Sequence, residues 1–556
     1  MLEKASTGEI PHAFNNMEFT FNDFEQSVLS TMGPQSQEHS IWRLCSILFD
    51  APEVAFPGWA EGIPEDLVHL YESKARLDTF ASFWVTLCPN EAQLRSARTE
   101  EEKALLYLTV GDVTKACEVL IAARDFKLAT IIAQLPADLQ SQQYMGQQVE
   151  AWKQRGDWSE MSDAMRTLYS LASGSFCAVG GTSGPTENRS SEFCIAEKSG
   201  LSWEQSFALR VHYGGFASLE EAVDGYVQDL QSQKETVKPT SGGQSEGEQS
   251  TAKDTLWSLL QLAAKEKEAD SMALVEPRTV SGSLTNTRLP WQLANLLTAA
   301  ELITLPNDKM DCLTRAYAAE LELRDSIALA AWVLLHLYES VDRKHAIKGL
   351  LERKAGLIAD PTDDSQPGVF EHLTDYAQIP SAMIWKAKAL HAQAVLQNPS
   401  LQASYLLQAH DSDAAHEILL RSVGPSAVVE QDYSVLQQLL LDFENAPPIE
   451  QSKWDAGGQV FADFAQLTTI KGGQREAEMG GLVRRLERGL AAMGQTHEKA
   501  AKGAVGLEAR VALVEMGMVV EDAAKELGDG VDTVKKSAKP AVAQDVLARY
   551  GMAMAA

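Results

Sequence analysis

The chain has few of the features from which chemistry is usually read. It carries six cysteines in 556 residues, at 45, 88, 117, 177, 194 and 312. None forms a C-x-x-C pair, and no histidine accompanies Cys177 or Cys194, so neither a zinc knuckle nor a redox pair is expected. Cys45, Cys88, Cys117 and Cys312 sit in apolar helical runs, where a free thiol acts as a small hydrophobe, and a reducing compartment fits that usage. No basic cluster exceeds a local pair such as Arg484–Arg485, and the formal net charge is −29. A phosphate backbone is bound by clustered Lys and Arg, so no nucleic acid or anionic membrane partner is expected. Apolar runs are short as well. The longest, Ile327 to Leu335, falls far short of the roughly 20 residues that span a bilayer. With no signal peptide, the chain reads as soluble and intracellular, without direct membrane insertion.

Catalytic motifs are equally scarce. There is no Walker A loop, no H-E-x-x-H and no G-x-G-x-x-G. Gly243-Gln244-Ser245-Glu246-Gly247 fits G-x-S-x-G, but a nucleophile elbow sits between a strand and a helix, and these flanks are polar loop. The Gly174 to Gly184 segment would cradle phosphate only after a strand, and none is expected before it. His212 has no local nucleophile or acid, and its place at a helix end suits interaction with the helix dipole. His336 reads as a core or groove histidine with one hydrogen-bond partner. His410 and His416 flank Asp411 and Asp413, which look like helix caps rather than metal ligands. Asn188-Arg189-Ser190 matches a glycosylation sequon, which has no meaning without secretion. No cofactor, no metal and no enzymatic activity are expected.

Helical periodicity is abundant. Strand-like alternation is confined to Met17 to Phe21, where Phe19 and Phe21 would share a face. Thr99 with Glu102, Ser202 with Gln205 and Ser218 with Glu221 have capping-box spacing and mark helix starts. Ile41 to Phe49 is apolar nearly all round, as is Ile327 to Tyr338 apart from His336, and both predict buried helices. Gly111-Asp112, Gly156-Asp157 and Asp411 to Asp413 each end one helix and cap the next; the second separates the helix of Trp152 from that of Met161, Met165 and Leu168. These hairpins have no equal period, which predicts an irregular α-solenoid. Residues 173–200 and 231–252 are rich in small polar residues and read as long mobile loops, and 359–368 as a shorter break. All eleven tryptophans lie at or before Trp454. The Ala-, Glu-, Lys- and Gly-rich remainder reads as a different helical module, with breaks at 471–480 and 527–530.

Three segments in this order carry a resemblance: Ile41-Trp42-Arg43-Leu44-Cys45-Ser46-Ile47-Leu48-Phe49-Asp50, Leu201 to Gly214 with Trp203, Phe207, His212 and Tyr213, and Leu289-Pro290-Trp291-Gln292-Leu293. A fourth runs from Trp385 through His416 and Gly424-Pro425-Ser426-Ala427 to Asp432-Tyr433. Over about 38–445 the chain resembles, in fungal type, the coat nucleoporin released as the C-terminal half of an autoproteolysed precursor whose other half carries FG repeats. Trp203, Phe207 and Val211 also read as one helical core stripe.

The resemblance implies an all-α, elongated solenoid of the ancestral coatomer type, shared with vesicle coats. It maps 1–37 as an N-terminal extension, 38–110 as outgoing trunk, 111–230 as crown, 231–252 as a flexible loop, 253–380 as returning trunk and 381–556 as tail. It implies a scaffold of the nuclear pore's Y-shaped coat, at the nuclear envelope, supporting pore assembly, protein transport and mRNA export within a hetero-oligomer. The partners implied are a second helical nucleoporin docked crown to crown, two arm nucleoporins at the tail, and a β-propeller shared with a vesicle coat and completed by N-terminal strands. Three strands would nearly exhaust the residues before Ile41, so a missing or truncated blade is expected. There are no FG repeats, so no direct transport-receptor binding is expected. Trp152, Trp158, Met161, Met165 and Leu168 are candidate crown anchors, each with an ordinary core reading beside it. A vesicle-coat or tethering scaffold of the same fold is the alternative.

Overall fold

A computed structural model describes residues 2, 9–14, 19–64, 67–88, 91–183, 188–216, 218–240, 254–265, 271–361, 368–446, 450–455, 457–469, 476–500 and 504–526. Helices dominate these residues. The exceptions are a two-stranded ribbon, Ala178–Val179 paired antiparallel with Phe193–Cys194, and a few isolated bridges. The all-α expectation holds. No helix among the described residues is long and apolar enough to cross a membrane. The chain divides into two compact units, residues 15–320 and residues 2–14 with 321–556.

The connectors explain why the hairpins follow one another so tightly. After the Glu100–Thr109 helix, Gly111 adopts φ +73° and the Asp112 N–H donates back to the Tyr107 carbonyl. Asp112 then caps the Val113–Ala122 helix by accepting from the Lys115 N–H at 2.9 Å. The same device recurs at Arg124-Asp125 and His410-Asp411. Each αL residue (φ +65° and +60°) precedes an Asp whose N–H bonds the carbonyl five residues back and whose carboxylate caps the next helix. A left-handed C-cap and an N-cap are thus fused in two residues, satisfying orphan groups of both helices. Sequence reading found the versions marked by Gly or by repeated Asp and missed Arg124-Asp125, because arginine carries no αL signal.

In the first unit one core collects helices far apart in sequence. Gln37–Phe49 packs against Val68–Leu87 and Thr255–Ala263, and Val68–Leu87 also meets Trp203–Tyr213. A second core joins the Glu100–Thr109, Val113–Ala122, Phe126–Ile132, Leu139–Arg155 and Asp163–Ala172 helices, and Leu209 and Tyr213 reach into it. The three capping starts are present: Thr99, Ser202 and Ser218 accept from the N–H groups of Glu102, Gln205 and Glu221.

Several expectations need correction. Phe21 opens the Phe21–Met32 helix with Thr20 as its cap, so no strand alternates through Phe19 and Phe21; residues 17 and 18 lie outside the described set. The reason is a double signal: Thr20 and Asp23 form a capping box, and the distant Asp50 carboxylate accepts from the Phe21 and Asn22 N–H groups at 3.0 and 2.9 Å. Within 173–200, the described residues are not a free loop. Cys177, Val179, Cys194, Ile195 and Ala196 are buried, and the ribbon leads into an Ile195–Ser199 helix. Residues 232–240 are pinned as well. Buried Glu235 accepts from the Ser206 hydroxyl at 2.7 Å, the Cys194 thiol at 3.2 Å and the Thr236 and Val237 N–H groups. Gly243 to Gly247 lies outside the described residues.

In the second unit the run from Ile327 is helical only to Leu334, and Leu329 and Tyr338 are exposed. The Arg343 guanidinium takes up the Leu337 and Tyr338 carbonyls at 2.6 and 2.9 Å, stabilising a turn where the apolar pattern suggested more helix. The described residues beyond Trp454 do not form a separate core. The Gly458–Thr469, Glu476–Ala500 and Ala504–Glu526 helices share one core with residues 403–443, and helix already resumes at Glu476 inside the expected 471–480 break. Residues 527–530 lie outside the described set.

Candidate partner-docking surfaces

The landmark residues build cores. Trp84, which no landmark contains, is wholly buried and meets Phe80, Phe83, Trp203 and Phe207 edge-on at centroid distances of 5.7, 5.4, 6.0 and 5.3 Å. Phe207 extends the cluster to Tyr226 and Trp257. Trp42 is buried beside Phe24, and Phe49 packs on Phe21. Trp291 donates to the Thr314 hydroxyl at 3.0 Å and stacks near Tyr317. Edge-to-face contact suits the ring quadrupoles and fixes relative helix positions.

Tyr213 donates its hydroxyl to the Leu108 carbonyl at 3.1 Å, tying its helix to the Glu100–Thr109 helix. His212 packs against Gly111, whose Cβ position would lie 3.2 Å from the ring. Burial pushes the His212 imidazole down to about 4, so it stays neutral and is no dipole-facing cation; its Nε2 has no partner. His336 is likewise lowered to about 4 by burial, with Nδ1 3.2 Å from the Trp332 carbonyl, the core role expected for it. Asp411 caps its helix, and His416 accepts from the Gly458 N–H at 3.0 Å.

The tail landmarks follow the same logic. Trp385 stacks on Tyr405, and the buried Lys388 ammonium lies over both rings while binding Asp360 and the Ile358 carbonyl. Gly424 and Pro425 follow a π-helical turn, Leu419–Val423, in which the Gly424 N–H reaches the Leu419 carbonyl. The wide turn relieves the clash of the proline ring with the preceding turn. Glycine is required at 424, because a Cβ would stand 2.6 Å from the Phe461 ring.

The five candidate anchors lie in or against the second core. Trp158 and Leu168 are fully buried, Trp152 is 8 % exposed, and Met161 and Met165 are half-buried against the same core. Trp152 packs on Tyr169 at 4.8 Å beneath the Lys127 ammonium, and Trp158 donates to the Gly180 carbonyl. Gly156 and Asp157 do not hand over to the helix of Met165; Ser162 caps that helix, and Met161 lies outside it. The exposed apolar groups are others. Ile121 and Phe126 flank the Arg124-Asp125 connector, and Leu139 and Tyr144 lie on the next long helix, all at least half exposed. Sequence reading passed over them because it favoured large residues in amphipathic stripes, and those are the ones that fill cores.

Two open depressions, of about 590 and 580 Å³, are lined by Thr182, Arg189 and Ser190 and by Gln393, Gln402 and Arg421 respectively. Neither holds His212 or His336.

The family model "Nuclear protein 96" (Nup96) matches residues 102–391. The chain belongs to the Nup96 family. It is 28 % identical over 455 residues to nucleoporin nup189 of Schizosaccharomyces pombe, covering 77 % of this chain and 24 % of that protein. It is 26 % identical over 448 residues to nucleoporin NUP145 of Chaetomium thermophilum, covering 77 % and 21 %. To the nuclear pore complex protein Nup98-Nup96 of Drosophila melanogaster it is 25 % identical over 374 residues, covering 66 % and 18 %. The chain therefore spans a quarter or less of the length of these relatives. The family is the one that the Trp42, Trp203 and Trp291 landmarks pointed to. The Nup96 match takes in the second and third landmarks and begins after the first.

Proposed function

We propose that this Nup96-family chain is a non-enzymatic scaffold of the nuclear pore coat, positioning partner nucleoporins by rigid helical geometry. The carrying observation is the aromatic core in which helices 37–49, 68–87, 203–213 and 255–263 meet although the first and last are far apart in sequence. It supports an outgoing trunk within 38–110 and a returning trunk that starts at 253, while the Trp203–Tyr213 helix, mapped to the 111–230 crown, packs into the same core. On that reading the crown docks a helical nucleoporin of the Y-shaped coat and the tail from 381 meets two arm nucleoporins; a β-propeller is a partner only where the N-terminal blade is present. The crown contact runs through Ile121 and Phe126 rather than through the buried tryptophans. Exposed apolar anchors at a rigid turn lose little entropy on binding.

The test is light scattering of the chain alone and mixed with the crown-docking helical nucleoporin, for wild type and Phe126→Asp. A one-to-one complex, lost in a variant whose circular dichroism is unchanged, is the expected result. No complex with the wild-type chain would overturn the crown assignment.

A further inference from the structure

The first residues of the chain belong to the second unit, not to the one that follows them in sequence. Leu2 and Ala13 form an antiparallel bridge, and residues 9–14 run without helix. Ile10 is 8 % exposed and Ala13 only 2 %. The Ala13 N–H donates to the Leu335 carbonyl at 2.9 Å. That carbonyl stands just past the Ile327–Leu334 helix, where helical carbonyls run out of intrahelical donors. The segment therefore supplies a donor that the helix end lacks, at a turn whose Leu335 and Leu337 are fully buried. His12 lies close enough to His336 to disfavour its protonation.

We propose that the 335–338 turn is a binding site for an extended apolar peptide, and that residues 9–14 are its occupant in cis. Recognition rests on one backbone N–H aimed at the Leu335 carbonyl and on two buried apolar side chains, Ile10 and Ala13, three positions apart in the non-helical segment. A contact of that size is reversible, so the segment is a displaceable strap. This inference is independent of the pore assignment.

The experiment uses a fluorescein-labelled peptide of residues 2–14 and a chain lacking residues 1–14, checked for helical content. Saturable one-to-one binding to the shortened chain is expected, with about tenfold weaker binding to the full chain, whose site is filled. A peptide carrying Ala13→Pro, which cannot donate, should bind about tenfold more weakly to the shortened chain. In case the shortened chain does not fold, full-length Ala13→Pro is used: it should gain binding of the wild-type peptide and show faster amide exchange at 335–338. Equal binding to full and shortened chains, or no binding to either the shortened chain or full-length Ala13→Pro, would overturn the proposal.

Discussion

The core of the first unit and the core around residues 403–524 solve the same problem with different side chains. The first interlocks Trp42, Phe80, Trp84, Trp203, Phe207, Tyr226 and Trp257. The second uses Ala403, Leu407, Val423, Leu486, Ala512 and Met516, with Phe443, Phe461 and Phe464 as its largest buried members. Large rings reach between helices and tolerate irregular spacing. Small residues need close backbone approach, and the Gly424–Phe461 contact is the price of it. The first core should therefore be sensitive to loss of volume and the second to gain of volume.

The largest expected effect follows from the first half of that contrast. Trp84→Ala removes a ring that meets four others and should cost about 3–5 kcal/mol in denaturant unfolding. A loss below about 1 kcal/mol would show that the rings are interchangeable filler. Gly424→Ala tests the other half and should cost about 1–3 kcal/mol by overpacking, with part recovered by adding Phe461→Leu. If Gly424→Ala is neutral, the small-residue core is looser than its geometry implies.

Smaller effects separate local devices from core packing. Asp50→Ala leaves the Phe21 and Asn22 N–H groups without their acceptor and should cost about 1–2 kcal/mol. Asp254 carries a sharper signature. Burial, then the nearby Glu204 charge, raises its carboxyl from 3.8 to about 6. A raised folded value means that its stabilising contribution is complete below about pH 4 and is lost as pH rises through about 6. Asp254→Asn keeps an acceptor for the Leu256 N–H and removes that slope, so the wild-type advantage over the variant should shrink between pH 4 and 7. Buried His212 and His336 slope the other way, which is why the difference between the two proteins is the quantity to measure. The smallest effect is a gain: Arg124→Gly relieves a left-handed arginine and should stabilise by up to about 1 kcal/mol.

Much of the fold was legible because its signals are local. Thr99, Ser202 and Ser218 mark helix starts through their own side chains, and Trp42, Trp203 and Trp291 are rare residues in a fixed order. What escaped depends on distant partners. Asp50 caps a helix 29 residues away, the Cys194 and Ser206 side chains draw Glu235 into the core, and Arg343 ends a helix that the apolar pattern would have continued. The candidate docking surface was the least legible part. Hydrophobicity marks Trp158 and Phe126 alike, and only the packing shows that the first is buried and the second exposed.

The most direct test of the scaffold account is hydrogen exchange of the chain with and without its crown partner. The account expects new protection across residues 119–128, around the Ile121 and Phe126 connector, with the already buried 158 and 168 positions unchanged. A bound complex that leaves 119–128 as exchangeable as in the free chain would contradict it.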